Sequence, residues 1–301
     1  MNSPVSRFLV RLTQDPRSAA RAIPSHLRRL HDAALDGVFQ AGGTLLSSVL
    51  PVGAAARLQR GFAPTVRLDY PACRISLHAD SALALFRARA CAKEPETVRW
   101  IEGTFRPNEV FYDVGANVGA YSLIAAKHLH QQIQIYAFEP SFSTFYDLVR
   151  NIILNDCQGS IAAYHLALAG TSGPVTLAYS SLEAGSANHR TSSAAGPGAL
   201  KTAGTYVQTV MGFSIDDLVR SRGFPVPNHL KLDVDGSEAE ILHGAAVTLR
   251  DRRVRSILVE VRTVDDQDHA IPSALREFGF RLAGEHQHSD GPVSNYVFAR
   301  E

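Results

Sequence analysis

Cysteine is scarce in this 301-residue chain: Cys73, Cys91 and Cys157 are odd in number and scattered. That argues against a disulfide framework and against a cysteine-built zinc site, and it fits reduced thiols acting as small core fillers. An excess of charge of one sign is also lacking. A net charge of +1 offers no basic stripe for a nucleic-acid partner. No apolar run is long enough to cross a membrane. Leu45 to Leu50 is short, is stopped by Pro51 and reads as a buried helical turn. The opening Met1-Asn2-Ser3-Pro4 has no basic-then-apolar layout of a secretory leader, so a cytoplasmic location is expected. There is no G-x-S-x-G elbow and no P-loop. The 12 histidines, among them His286 and His288, fall in no zinc-ligand spacing, so no metal is expected.

What is present is an ordinary globular composition, long enough for one large domain and an extension. Residues 1–62 read as a helical N-terminal extension. Ser25 can cap a helix running to about Ala41, with an apolar stripe and with Arg28 and Arg29 on its polar face. Two short strands are expected at Thr65–Leu68 and Arg74–Leu77, and helices at Ala82–Ala90 and from Pro95 towards Gly103. From Val110 onward strands and helices alternate, which predicts a mostly parallel sheet covered on both faces. The strands are placed at Val110–Val114, Ile133–Phe138, Ala162–Ala167, Leu230–Val234, Ile257–Val261, Phe280–Leu282 and Tyr296–Ala299, the last two as an antiparallel pair. A hairpin, Val175–Tyr179 with Tyr206–Val210, flanks a Ser/Ala/Gly-rich loop over 181–204, which includes His189 and Arg190. That loop is expected to be flexible, either a lid or a passive insertion.

The most informative segment is Asp113-Val114-Gly115-Ala116-Asn117-Val118-Gly119, between an apolar strand and a helix that starts near Tyr121. Glycines in such a turn let the backbone approach a ligand, and a helix N-terminus favours negative or polar ligand groups. A dinucleotide fingerprint would carry glycine where Asn117 stands, and that side chain would crowd a pyrophosphate. Asp113 would repel a pyrophosphate but attract the ammonium of S-adenosylmethionine. Glu139, in Ala137-Phe138-Glu139-Pro140, follows Gly119 at the distance where an acid at a strand tip can accept hydrogen bonds from ribose hydroxyls.

A third motif is Leu230-Lys231-Leu232-Asp233-Val234-Asp235-Gly236-Ser237-Glu238. Lys231 and Asp233 share a strand face, and a buried lysine needs a partner such as Asp233. Ser237 and Glu238 read as a capping box, while Asp235 divides evenly between a structural and a functional role. Glu260 ends the next strand and should face the same cleft, with a structural ion pair as its plainer role.

Together these motifs resemble the FkbM family of S-adenosylmethionine-dependent methyltransferases. The resemblance is carried by Phe111 to Ser122, by Ala137 to Pro140, by Asn151 and Asn155, by Leu230 to Glu238 with Leu242 and Gly244-Ala245, and by Val259-Glu260-Val261; Lys93-Glu94-Pro95-Glu96-Thr97 also looks like family sequence. It spans about Arg87 to Glu260 and implies a class I methyltransferase fold, α/β and Rossmann-like. That fold has a seven-stranded, mostly parallel sheet with one antiparallel strand, here over residues 63–301. It also implies methyl transfer, usually to oxygen, on a small-molecule or glycan acceptor. The family's residues would place Asp113, Gly115, Ala116, Asn117 and Gly119 at the methionine part of the cofactor and Glu139 at its ribose. Many class I methyltransferases carry an acid for the adenine after the third strand. This chain has His165-Leu166-Ala167-Leu168 instead, which leaves adenine to backbone and apolar contacts around Ala167. Asp233, Lys231 and Glu260 are the candidates for catalysis. Asp233 is the first choice of base, and Lys231 tunes it or acts itself if burial lowers its pKa. An NAD-dependent oxidoreductase and a non-catalytic cofactor-binding protein of the same fold are the competing expectations.

Overall fold

The computed structural model describes residues 54, 64–79, 82–179, 190–192, 206–234, 236–262, 270–287 and 293–300. The chain divides into two compact units, Met1–Ala63 and Pro64–Glu301. The expected Ser25–Ala41 helix, the Leu45–Leu50 turn, Asp235, and the 181–204 loop apart from 190–192 lie outside the described residues.

The second unit opens with a two-stranded antiparallel pair, β1 (Thr65–Arg67) and β2 (Ser76–His78). Short helices α1 (Ala82–Arg87) and α2 (Ala90–Lys93) lead into α3 (Pro95–Thr104), where Pro95 stands at the first turn. The alternation then follows: β3 (Glu109–Val114), α4 (Ala120–His128), β4 (Ile133–Phe138), α5 (Phe142–Leu154) and β5 (Ile161–Tyr164). A side sheet comes next from β6 (Ala167–Leu168), β7 (Gly173–Tyr179), β8 (Arg190–Ser192) and β9 (Tyr206–Phe213). The chain closes with α6 (Ile215–Ser221), β10 (His229–Leu232), α7 (Glu238–His243), β11 (Ser256–Arg262), α8 (Ile271–Glu277), β12 (Arg281–Gln287) and β13 (Val293–Ala299).

The main sheet has seven strands in the order β12-β13-β11-β10-β3-β4-β5. Only β13 runs against its neighbours. β3 is central and buried at every position, as a parallel strand covered on both faces must be. Its alternation splits the core. Phe111 faces α3, α4 and α5, while Val110, Tyr112 and Val114 join Leu230, Leu232, Ile257 and Val259 under α6, α7 and α8. Asp113 and Lys231 are register partners on β3 and β10, so two charged residues enter the sheet side by side.

Three expectations change. The third strand stops at Tyr164, and Ala167–Leu168 turns away to pair with Gly212–Phe213 of β9, so the apolar run 166–168 crosses between two sheets. The hairpin pairs Val175 with Val210 and Tyr179 with Tyr206, but β8 adds a third strand where the sequence reads as loop. The helix after β10 begins at Glu238 without a capping box. Glu238 itself takes the N–H groups of Val234 and Gly236 at 3.0 and 2.9 Å, and the Ser237 side chain makes no cap bond. Asn151 and Asn155 prove to be brackets. Asn151 donates to the Val118 carbonyl and accepts from the His78 N–H, while Asn155 takes and returns hydrogen bonds with the Ser76 backbone. They tie α5 to the glycine turn and to β2.

At the N-terminal edge of the sheet, Ser256, His229 and Glu109 mimic a hydrolytic triad. His229 Nδ1 lies 2.7 Å from Ser256 Oγ and Nε2 lies 2.6 Å from Glu109 Oε2. All three are buried, and the Trp100 indole N–H donates to Ser256 Oγ at 2.9 Å. Burial and the Arg106 charge push His229 down to about 3, so the ring is neutral. A proton chain runs Trp100 to Ser256 to His229 to Glu109, with every donor satisfied, and its job is structural. Ser256→Ala should therefore cost about 2–4 kcal/mol in denaturant unfolding, because two buried polar groups lose their partner. Any activity at the opposite edge of the sheet should survive at permissive temperature. Loss of turnover in a folded variant would refute the structural assignment.

Candidate active site

The C-terminal ends of β3, β4, β10 and β11 form one cleft, where ligands of open α/β sheets bind. Its volume, with the open solvent at its mouth included, is about 800 Å³, and it is lined by Gly115, Asn117, Glu139, Ala167, Asp233 and Glu260, with Arg87, Lys93 and Leu166 beside them. A smaller cavity, about 410 Å³ with the open solvent at its mouth included, continues behind the turn and is lined by Glu94, Ala116, Tyr121 and Lys231. Arg87, Lys93, Gly115, Asn117 and Asp233 border both.

The turn alternates left-handed residues: Gly115 at φ +76°, Asn117 at +51° and Gly119 at +89°. Asparagine is among the few side chains that tolerate this conformation, so Asn117 serves the backbone as much as a ligand. Its Oδ1 accepts the Val118 N–H at 2.9 Å. All five N–H groups of 115–119 are in fact used within the protein. Gly115 and Ala116 donate to the Phe138 carbonyl, Asn117 to Glu139 Oε2, and Gly119 to the Ala116 carbonyl. No N–H cradle remains for a pyrophosphate. Gly119 borders neither cavity. A Cβ there would sit 2.6 Å from Leu148 Cδ1, so its glycine answers to packing against α5.

Glu139 is buried at the tip of β4, and its second oxygen takes the Ser141 N–H at 2.8 Å. Burial pushes its pKa up to about 7, against the pull of those two backbone donors. The sign follows. Between its ordinary 4.5 and about 7, the native state holds a proton that the unfolded chain has released, so stability falls as pH rises through that window. Relative to Glu139→Gln, the ligand-free protein should lose up to about 3 kcal/mol between pH 4.5 and pH 8. Denaturant titrations of both proteins at four pH values test this. Parallel curves would refute it.

Asp113 is wholly buried and absent from the lining of both cavities. Ser122 Oγ donates to its Oδ2 at 2.6 Å, while Oδ1 has no hydrogen-bond partner. Burial raises its pKa despite the nearby Lys231 ammonium. Lys231 donates to Asp233 Oδ2 at 2.7 Å and lies 5.1 Å from the Tyr121 ring centroid. Burial alone would lower its pKa, but Asp233, Asp113 and Glu94 outweigh burial and hold it above the usual lysine range. Those carboxylates favour the protonated form of Lys231, which makes Asp233 the better candidate for the base. Asp233 is 29% exposed. Burial would raise its carboxyl, yet Lys231, Lys93 and Arg87 hold it below the ordinary value, so it is ionised. The sequence assigns no role to Glu94 or to the Tyr121 side chain. The signal available is the Lys93–Thr97 segment, whose charges give no hint that it folds back onto the turn.

An α/β sheet of this order, with a glycine turn and an acid at the second strand tip, defines a Rossmann-like fold of the class I methyltransferase type. The FkbM methyltransferase domain model matches residues 113–282, more than half of the chain. The chain belongs to the FkbM methyltransferase family. It is therefore a methyltransferase, and its cofactor is S-adenosylmethionine. It is 29% identical over 185 residues to the hexuronic acid methyltransferase AglP of Haloferax volcanii, covering 61% of this chain and 69% of the relative. It is 26% identical over 205 residues to the 31-O-demethyl-FK506 methyltransferase FkbM of Streptomyces tacrolimicus, covering 60% and 75%. It is 28% identical over 195 residues to the methyltransferase sdnD of Sordaria araneosa, covering 58% and 74%. The residues present fit the cofactor. The turn offers no N–H groups to a pyrophosphate, and the smaller cavity presents both carboxylates (Glu94, Asp233) and cations (Arg87, Lys93, Lys231), which suits a ligand end that carries both charges.

Proposed function

We propose that the protein methylates a hydroxyl oxygen on a sugar, a glycan or a secondary metabolite. The observation that carries this is the ionised Asp233 carboxylate, partly exposed in the shared wall of both cavities and fixed by a fully buried lysine. The names of two relatives point the same way, one to a hexuronic acid and one to an O-demethyl compound. A cytoplasmic setting belongs to the proposal and accords with three unpaired cysteines. No helix among the described residues is long and apolar enough to cross a membrane. The acceptor is a small molecule or glycan rather than a nucleic acid. The division into an extension over 1–62 and a methyltransferase domain over 63–301 is likewise proposed.

When bound, the cofactor supplies an activated methyl on a sulfonium. Glu139 accepts the ribose hydroxyls, and Leu166 and Ala167 give adenine an apolar seat. Gly115, Ala116 and Asn117 shape the wall beside the methionine part, with Asp113 supporting the turn from behind through Ser122. Asp233 receives a hydrogen bond from the acceptor hydroxyl and takes its proton as the new C–O bond forms. Glu260 holds a second acceptor hydroxyl. The rest is alignment of oxygen, methyl and sulfur, which is catalysis by positioning. Incubation with methyl-labelled cofactor and a panel of uronic acids, neutral glycosides and hydroxylated metabolites tests this by mass spectrometry. A labelled methyl ether supports the proposal. Label found only on nitrogen or carbon overturns it.

A further inference from the structure

The smaller cavity holds charges that catalysis leaves unexplained. Glu94, 3% exposed, forms a 2.7 Å ion pair with Lys93, whose side chain is 34% exposed. Glu94 Oε2 is 3.4 Å from Thr97 Oγ1. Behind them stand Asp113, Asp233 and the fully buried Lys231. Three carboxylates are thus set against three cations, the buried Lys231, Lys93 at the rim and Arg87, which also lines the cavity. Both Lys93 and Glu94 line the cavity, and Lys93 also borders the main cleft. Glu139, the main cleft's own polar group for the ribose, does not line the smaller cavity.

We propose that Lys93 and Glu94 seat the amino-acid end of the cofactor, their ion pair opening so that Glu94 takes the ammonium and Lys93 the carboxylate. This rests on the main cleft being the S-adenosylmethionine site. The exchange balances in charge. An amino acid brings one ammonium and one carboxylate, so each buried or half-buried group trades one partner of opposite charge for another. Neither charge is left stranded in a desolvated pocket, which is the costly outcome. Asp113 does not compete for this role, because it reaches neither cavity and its nearest donor is Ser122. A ligand without the amino-acid end leaves the pair closed and gains nothing from it.

The test is calorimetric, with two ligands that differ in that end. S-adenosylhomocysteine carries the amino acid and 5′-methylthioadenosine lacks it. Glu94→Gln and Lys93→Met should each weaken S-adenosylhomocysteine by at least about tenfold, the loss of a charge-assisted contact. Each should leave 5′-methylthioadenosine within about twofold of wild type, which also shows that the variant is folded. Unchanged S-adenosylhomocysteine affinity overturns the assignment, and so does equal weakening of both ligands. Wild-type protein that binds neither ligand would overturn the cofactor site itself, and the two failures are thereby distinguished.

Discussion

Asp233→Asn should lower kcat by about 10²–10⁴-fold, the usual worth of a positioned proton acceptor, while cofactor affinity changes by less than about tenfold. The carboxylate is held below its ordinary pKa, which makes it a weak base, and a weak base suffices here. An alcohol is hardly acidic on its own, but its oxygen would become strongly acidic on taking up the methyl that the bound cofactor would supply. The proton then moves downhill to any ionised carboxylate in hydrogen-bond reach. What Asp233 contributes is position and constant charge, and the 2.7 Å contact with Lys231 secures both.

The variant is a clean probe because Lys231 is not stranded by it. Stripping the partner from a buried charge commonly costs about 3–5 kcal/mol. Asparagine keeps an oxygen for the ammonium, and Asp113 and Glu94 still act on it. Melting curves should shift little. Single-turnover rates with saturating cofactor separate chemistry from binding. A folded, cofactor-bound Asp233→Asn enzyme at full turnover would remove Asp233 from the mechanism. Attention would then pass to Glu260, in the same cleft.

Much of this site is legible in the sequence because it lies on consecutive strand tips. Strand periodicity puts Asp113, Glu139, Asp233 and Glu260 at one edge, and the order of the sheet makes that edge a cleft. Local patterns do not show where long-range packing takes a segment. The run Leu166-Ala167-Leu168 looks like strand whichever sheet it joins, and pairing with β9 decides the matter. Glu94 stands at the junction of α2 and α3, upstream of the first strand of the main sheet. No local spacing rule links it to Lys231, and only the packing of that segment onto the glycine turn brings the two to one cavity. Asn117 is legible as a departure from a dinucleotide turn. Its left-handed backbone is not, because φ is fixed by the hydrogen bonds around the turn rather than by the residue alone.

Gly115→Ala should be the most damaging single substitution in the turn, lowering stability by more than about 4 kcal/mol. Two costs add. A side chain at φ +76° is strained by about 1–2 kcal/mol. The larger cost is contact, since the new Cβ would stand 1.9 Å from the Asp233 carbonyl oxygen and 2.9 Å from its carbon. Both are backbone atoms at the end of β10 and cannot rotate away, so the turn and the strand tip must separate. That movement carries Asp233 with it, and a shift of about 1 Å in a positioned group can cost about 10²-fold in rate. Gly223→Ala isolates the two costs. Gly223 has nearly the same backbone, at φ +74°, but nothing lies within 4 Å of its missing Cβ. It should lose only the strain of about 1–2 kcal/mol and keep full turnover. Denaturant unfolding and steady-state assays on both variants give the comparison. Equal losses at the two glycines would mean that φ, and not the approach of β10, is what requires glycine at position 115.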